Sequence, residues 1–549
     1  MSFFKKIFSA FTTKERTAFL VAAAVGAISL IAIIVIFISE ATTTMPTTGG
    51  SYTQGVVGQP EYINPVTAAS ETDLDIVKMV YSNVPDIADS ITSSPDGKTW
   101  TVHLKPDLHW QDGAQLTSDD VIFTVESIQN PDAQSPLAAN WQGIAAERVS
   151  ELEVKFILPA PYAFFGDNLK NLYIIPKHIF NDVPPGNWRL SEYNLKPVGS
   201  GPYEFVSYTR GSDGFISSYQ LTAWKDSFSR KPLISDFAFS FYRDEGDMIQ
   251  AFNTGSIDGF QLASPSEIAN IARPYNLASM RTTDYYALFL NQSVGQALQD
   301  PAVRNALSDA IDRNALVADA LGGNGIPDAG PIPPDAPYAS PAIAIPTSSP
   351  ETASTTLAAA GWKLGPDGIR AKTIGTTTIP LQVTITVPDI DFLVRTAQMV
   401  QNDWTAVGVA AAVATDSPDS IMNDVVNNRN YGALLFGNIL GPSSDLYSFW
   451  DSAERFAPGL NLAAYDNPTV DGLIQTARTT MNEASRTQAF AAAESAIVRD
   501  NPAIFLYSTN DLFVTDKGVH GITQKTLSDP SDYFREVSSW YLETARMLK

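Results

Sequence analysis

The sequence predicts a mixed α/β protein of at least two domains, carried behind one apolar helix long enough to cross a membrane. Three observations support that expectation. The chain has 549 residues, more than one hydrophobic core ordinarily serves. Residues 18–38 contain no charged side chain, and at 1.5 Å per residue such a run spans a bilayer. From Ile379 onward, strand-like and helix-like stretches alternate. "IPLQVTITVP" (379–388) is followed by a helical period over 392–407 and then by Gly408, the rhythm of a lobe with a largely parallel sheet.

At the N-terminus, Lys5, Lys6, Lys14 and Arg16 precede the apolar run, and no base follows until Lys78. This asymmetry places residues 1–17 in the cytoplasm, makes 18–38 a transmembrane anchor and leaves the rest extracytoplasmic. A cleavable signal has a shorter apolar core of about 7–15 residues. Removal at Ser39-Glu40-Ala41, a small-x-small site, is the alternative. Residues 39–51, rich in Thr, Pro and Gly, are expected as a linker. The chain has no cysteine, which excludes disulfides, thiolate metal sites, a cysteine nucleophile and a lipidated N-terminal cysteine. The formal net charge of -23 argues against nucleic acid or anionic lipid as partners. It reads as solubility outside the cell, with a preference for cationic ligands as the second reading.

Within the ectodomain, Trp100, Val102 and Leu104 alternate with Thr99, Thr101 and His103, the period-2 mark of a half-buried strand. Asp112-Gly113 is a turn signal. Thr117 with Asp120 forms an acidic capping box, Val121, Val125 and Ile128 share one helix face, and Asn130-Pro131 ends that helix. Catalysis has no constellation to rest on. The histidines are His103, His109, His178 and His520, with no i, i+4 pair, and neither a Gly-x-Ser-x-Gly elbow nor a Walker loop occurs. Asp119-Asp120 suits a helix N-terminus. No enzyme, metal or cofactor is expected.

The stretch "DGKTWTVHLKPDLHWQDGAQLTSDDVIFTVESI" (96–128) resembles the signature region of the family 5 extracytoplasmic solute-binding proteins, the peptide, nickel and oligosaccharide receptors of ABC importers. Further stretches resemble the family in the same order: "GVVGQPEYINPV" (55–66), "PVGSGPYEFVSY" (197–208), "MIQAFNTGSIDGF" (248–260), "LQDPAVRNALSDAIDRNALVADAL" (298–321) and "NPAIFLYSTNDLFV" (501–514). One departure is the bare Ser82-Asn83 between Tyr81 and Val84, where the family has a further strand and turn. The resemblance implies a two-lobed periplasmic-binding-protein clamshell, type II-like. Its first lobe would run over 52–284 with an extra subdomain at about 71–195, its second over 285–499, and residues 500–549 would return to the first. Ligand would be enclosed between the lobes by hinge closure.

By the same resemblance, the protein is expected to be a monomeric, membrane-anchored solute-binding component of an ABC importer, with permease subunits as partners and peptides as ligands. The alternatives are an oligosaccharide receptor of the same fold, or a ligand-sensing or chaperone-like binding module without transport. The implied site centres on "ALLFGNILGPSSDLYSFWDS" (433–452). In peptide-binding members an acid just after an aromatic captures the α-ammonium. Here Phe436 holds the aromatic place, Asn438, Ile439 and Leu440 follow, and the nearest acid is Asp445. The candidate ligand contacts are Glu61, Tyr62, Tyr285, Asn291, Phe436, Asn438, Asp445, Tyr447 and Trp450. For Asp445 the competing role is a helix cap, for Tyr447 and Trp450 the core, and for Asn291 a turn.

Overall fold

The computed structural model describes residues 11–228, 231–263 and 265–548. Lys5 and Lys6, two of the bases used to orient the chain, lie outside them. The first element is the helix Thr13–Ala41, whose side chains as far as Ile33 stand clear of the rest of the protein. The stretch expected as a linker differs. Thr42–Thr47 is a strand paired antiparallel with the final strand, Glu543–Leu548. Its β-branched threonines suit a pleated conformation, and Pro46 is tolerated because both strands of a two-stranded ribbon are edges.

Beyond it, a continuous mixed sheet runs through both lobes. In the second lobe Gln382–Pro388 lies parallel to Ala410–Asp416 and to Ala433–Ile439. The strand Asp284–Leu290 is antiparallel to Ala433–Ile439, so the expected parallel sheet carries one reversed strand. The strand Ala503–Asp516 then passes from one lobe to the other. Its first half pairs with Asp284–Leu290, and its second half with Gly259–Leu262 and Tyr275–Thr282 of the first lobe. From there the sheet continues through Ser51–Val57, Asp236–Tyr242, Ile216–Ala223 and Tyr203–Arg210.

The first lobe carries a separate antiparallel sheet in the order Ala88–Ser93, Thr99–Leu104, Glu153–Ile157, Ala145–Ser150. Against it packs the helix Ser118–Gln129, opened by the Thr117–Asp120 capping box, with Val121, Val125 and Ile128 buried. One hydrophobic core joins this sheet to the main first-lobe sheet, from Tyr52 through Trp110 to Trp540. The helix Glu71–Val80 is fixed by the Gly-Ser-Gly-Pro turn. Gly201 N donates to Val80 O at 2.8 Å, and a Cβ on Gly199 would lie 1.9 Å from the same oxygen. Only glycine permits that approach.

Candidate functional site

Two chain segments join the lobes: Thr282–Asp284, and the middle of the crossing strand around Tyr507–Asn510. They are tied to each other. The Thr509 hydroxyl donates to Asp284 Oδ2 at 2.9 Å, and the Thr282 hydroxyl donates to Thr509 O at 3.0 Å and also meets Asp284 Oδ1. Beside this hinge the lobes enclose a cleft of about 1060 Å³, at the upper end of the range for small-ligand pockets.

The second-lobe wall has an apolar patch, flanked by Asp391 and Arg395. Tyr286, Ile390, Phe392 and Ile439 line it, with the Tyr286 and Phe392 rings edge to face at 5.3 Å. Gly437 is the register partner of Tyr286, and a Cβ there would lie 2.7 Å from the ring. The glycine therefore lets the tyrosine lie against the sheet and keeps the cleft open. Across from this wall, Met248, Ile268, Leu277 and Leu512 give the first lobe apolar surface of its own.

The hinge end is different, because carboxyls from separate elements meet there. Glu71 and Asp75 come from the helix Glu71–Val80, Asp511 from the crossing strand, Asp284 from the hinge and Asp529 from the C-terminal segment. Burial pushes Asp75 up to about 8, with Glu71 and Asp529 adding to the effect. Asp511 is pushed up to about 7 by burial and by Asp284, Glu71 and Asp529. Burial raises Glu71 and Asp284 as well. Burial acts the same way on Asp529, but Lys78 and Ser531 outweigh it and hold that carboxyl below its ordinary value. Lys78 is engaged by Asp529 at 2.7 Å and Asp532 at 2.8 Å. Among the described residues the lining carries one base, Arg395.

None of the nine residues expected from the sequence lines this cleft. Three of them do come together, but in the core: the buried Tyr285 hydroxyl accepts from Asn438 Nδ2 at 2.8 Å and from Trp450 Nε1 at 3.1 Å. Phe436 packs half-buried against the same core. Asn291 is a turn residue, accepting from Ser293 N at 3.0 Å and donating to Arg429 O at 2.8 Å. Asp445 caps the turn before Tyr447, accepting its N–H at 3.1 Å, and pairs with Arg478 at 3.0 Å. It also accepts from the Tyr162 hydroxyl at 3.3 Å, while Arg478 lies over the Tyr447 ring at 4.1 Å. Tyr162 belongs to a first-lobe arm whose Phe164 packs into the second-lobe core beside Phe490. Asp445 and Tyr447 therefore serve an interlobe contact. Glu61 is exposed, its backbone N–H donating to Asp73 at 2.8 Å, and Tyr62 lies under Arg189 at 5.1 Å.

The physical reason is register. Side chains alternate faces along a strand, so Tyr286 and Ile439, each one position beyond Tyr285 and Asn438, reach the cleft. The hinge carboxyls had a weaker signal in the sequence: Glu71, Asp75 and Lys78 share one helix stripe through their i, i+4 and i+3 spacing.

Two lobes, two crossings and a ligand-sized cleft between them define a solute-binding protein of the periplasmic-binding-protein architecture. The profile described as bacterial extracellular solute-binding proteins, family 5 Middle, matches residues 83–456, and the chain belongs to that family. The chain is 25% identical over 524 residues to the oligopeptide-binding protein AppA of Bacillus subtilis, covering 90% of this chain and 92% of that one. It is 23% identical over 516 residues to the dipeptide-binding protein of Escherichia coli, covering 88% and 93%. Among solved structures, the ABC transporter substrate-binding protein CtaP of Listeria monocytogenes superposes with a TM-score of 0.78 at 26% identity, covering 90% of this chain and 100% of that one. Bacillus subtilis AppA in complex with a nonapeptide superposes at 0.68 with 23% identity, covering 91% and 100%.

Proposed function

We propose that this protein captures peptides outside the cell in the cleft between its lobes and delivers them to the permease of an ABC importer. The observation that carries the reading is the cleft itself, ligand-sized and crossed by two segments among the described residues, with an aromatic wall facing a polar hinge end. Two relatives that match nearly the whole chain are named for oligopeptide and dipeptide binding. In this reading the lobes are 52–284 and 285–499, with 500–549 returning to the first, and they rotate about the Asp284–Thr509 tie to enclose ligand. The helix Thr13–Ala41 is retained as a single-pass anchor with a cytoplasmic N-terminus. It holds a monomeric receptor near its permease and so raises its effective concentration there.

The test is native mass spectrometry on the full-length protein in detergent micelles, offered a pool of peptides of two to nine residues and, separately, an oligosaccharide pool. Retained peptide masses are expected. Sugar adducts alone, or no adduct from either pool, overturn the reading.

A further inference from the structure

At the hinge end of the cleft, four buried side-chain oxygens have no hydrogen-bond partner: Asp75 Oδ1, Asp511 Oδ2, Thr283 Oγ1 and Asn510 Oδ1. All four residues line the cleft. Buried polar atoms in folded proteins are normally partnered, so a cluster of unmet acceptors beside a ligand-sized space marks where a donor belongs. Asp75 is the strongest instance, being only 3% exposed. One of its oxygens accepts from the Tyr533 hydroxyl at 3.4 Å, the Ser531 hydroxyl stands close enough to ease its ionisation, and Oδ1 has no partner of hydrogen-bonding distance and angle. The base on its own helix, Lys78, is already engaged by Asp529 and Asp532.

The donor these acceptors call for must be cationic and must carry several N–H groups, because the surrounding charge is negative and the open atoms are all oxygens. A metal ion does not fit that geometry. Among the described residues no group of three or more His, Cys, Asp or Glu side chains stands close enough to share one ion. Separate carboxyl oxygens on different elements suit the diverging N–H groups of an ammonium or guanidinium.

We infer that the hinge end of the cleft is a subsite for an ammonium group of the bound peptide, held by Asp75 of the first lobe and Asp511 of the crossing strand. The inference rests on the peptide-binding reading and narrows it to peptides that present such a group there. It also supplies what the loop after Phe436 lacks, since Asn438, Ile439 and Leu440 offer no carboxylate.

Protons compete with the cation for these oxygens. Asp75 faces Glu71 and Lys78 from its own helix, and Asp529, Ser531 and Tyr533 from the C-terminal segment. Asp511 faces Asp284, Gln261, Glu71 and Asp529. Burial, with the neighbouring acids adding to it, raises both groups into the range around neutrality, so binding a cation releases protons and is favoured as pH rises.

The experiment uses the full-length protein in detergent and four matched peptide pools: unmodified, Nα-acetylated, Nε-acetylated at lysine, and both. Competition between pools is read by native mass spectrometry. The unmodified pool is expected to outcompete the doubly acetylated one by roughly 10- to 100-fold, the range of a charge-assisted hydrogen bond. The singly acetylated pool that loses the advantage identifies the source as the free N-terminus or the lysine side chain. The advantage is expected to grow from about pH 6 to about pH 7.5, below the range in which a peptide α-ammonium loses its own proton, and Asp75→Asn combined with Asp511→Asn is expected to abolish it. Equal retention of all four pools by the unmodified protein overturns the subsite while leaving peptide capture intact. Retention of no pool overturns the peptide reading itself and the inference with it.

Discussion

Two pairs of buried carboxyls in this molecule look alike in their titration and differ in everything else. Behind the second lobe, burial pushes Asp328 up to about 7 and Glu494 up to about 8. At the cleft, burial pushes Asp511 and Asp75 up to the same values. The rear pair is satisfied. Asp328 Oδ1 accepts from Ala329 N at 2.8 Å and Gly330 N at 3.4 Å, its Oδ2 accepts from the Ser508 hydroxyl at 3.0 Å, and Glu494 Oε2 accepts from Ser340 N at 2.9 Å. At the cleft, one oxygen each of Asp75 and Asp511 has no partner. A raised carboxyl by itself reports only desolvation. The partner list separates a carboxyl that holds a loop in place from one that waits for a ligand.

Stability is where the two pairs diverge most. Asp328→Ala strands two backbone amides and a hydroxyl in the interior, and each orphaned group costs about 1–3 kcal/mol. A loss of about 3 kcal/mol or more is expected in urea unfolding. Asp75→Asn keeps an acceptor for the Tyr533 hydroxyl and removes an ionisable oxygen that nothing solvates. Its stability is expected to stay within about 1 kcal/mol of the unmodified protein, below the cost of orphaning the groups that Asp328 holds, or to rise. A loss at Asp75 as large as that at Asp328 would erase the distinction.

The pH dependence of stability is the next largest effect. All four carboxyls hold their protons more tightly folded than unfolded, where an aspartate or glutamate titrates near 4. Their stabilising contribution is therefore complete below about pH 4 and is lost as pH rises through the folded values of about 7 to 8. The slope is at most about 1.4 kcal/mol per pH unit for each group. Thermal melting of the ligand-free protein is expected to fall steadily from pH 5 to pH 8. With a saturating lysine-containing peptide the fall is expected to be shallower, because the ligand cation stabilises the ionised cleft pair and leaves only the rear pair titrating. Parallel curves with and without peptide would place the cleft pair in the same structural class as Asp328 and Glu494.

What the sequence made legible follows from how local each signal is. The capping box at Thr117 and the apolar face formed by Val121, Val125 and Ile128 are decided by neighbours within a few positions, and each stands where its residues point. The cleft strands were legible as strands, but their faces were not. Asp284–Leu290 and Ala433–Ile439 are buried on both sides over most of their length and open to the cleft only at one end, so no polar alternation tells Tyr285 from Tyr286 or Asn438 from Ile439. The hinge carboxyls were hidden for another reason. Asp75 in "ETDLDIVK" reads as an ordinary helix-surface acid, and only the passage of Ala503–Asp516 between the lobes brings Asp511 to the same Tyr533 that Asp75 faces. The segment 42–47 was misjudged because a run of threonines suits a spacer and a strand alike, and its partner lies at the far end of the chain.

The smallest expected effect isolates the opposite wall from the carboxyls. Gly437 faces the Tyr286 ring, and a methyl there would overlap it at 2.7 Å. The sheet behind the glycine is packed, so the tyrosine gives way by swinging off the strand into the cleft and parting from Phe392. Gly437→Ala is therefore expected to cost about 1 kcal/mol of stability, within the usual range for overpacking, and to weaken peptide retention several-fold. It adds no charge and removes no acceptor. The preference for unmodified over acetylated pools and the pH slope should both survive it unchanged, because Asp75 and Asp511 keep their surroundings. If Gly437→Ala abolished the preference along with the affinity, discrimination would be set by the shape of the aromatic wall, and the unmet oxygens at the hinge would be no more than hydrated groups at the edge of the cleft.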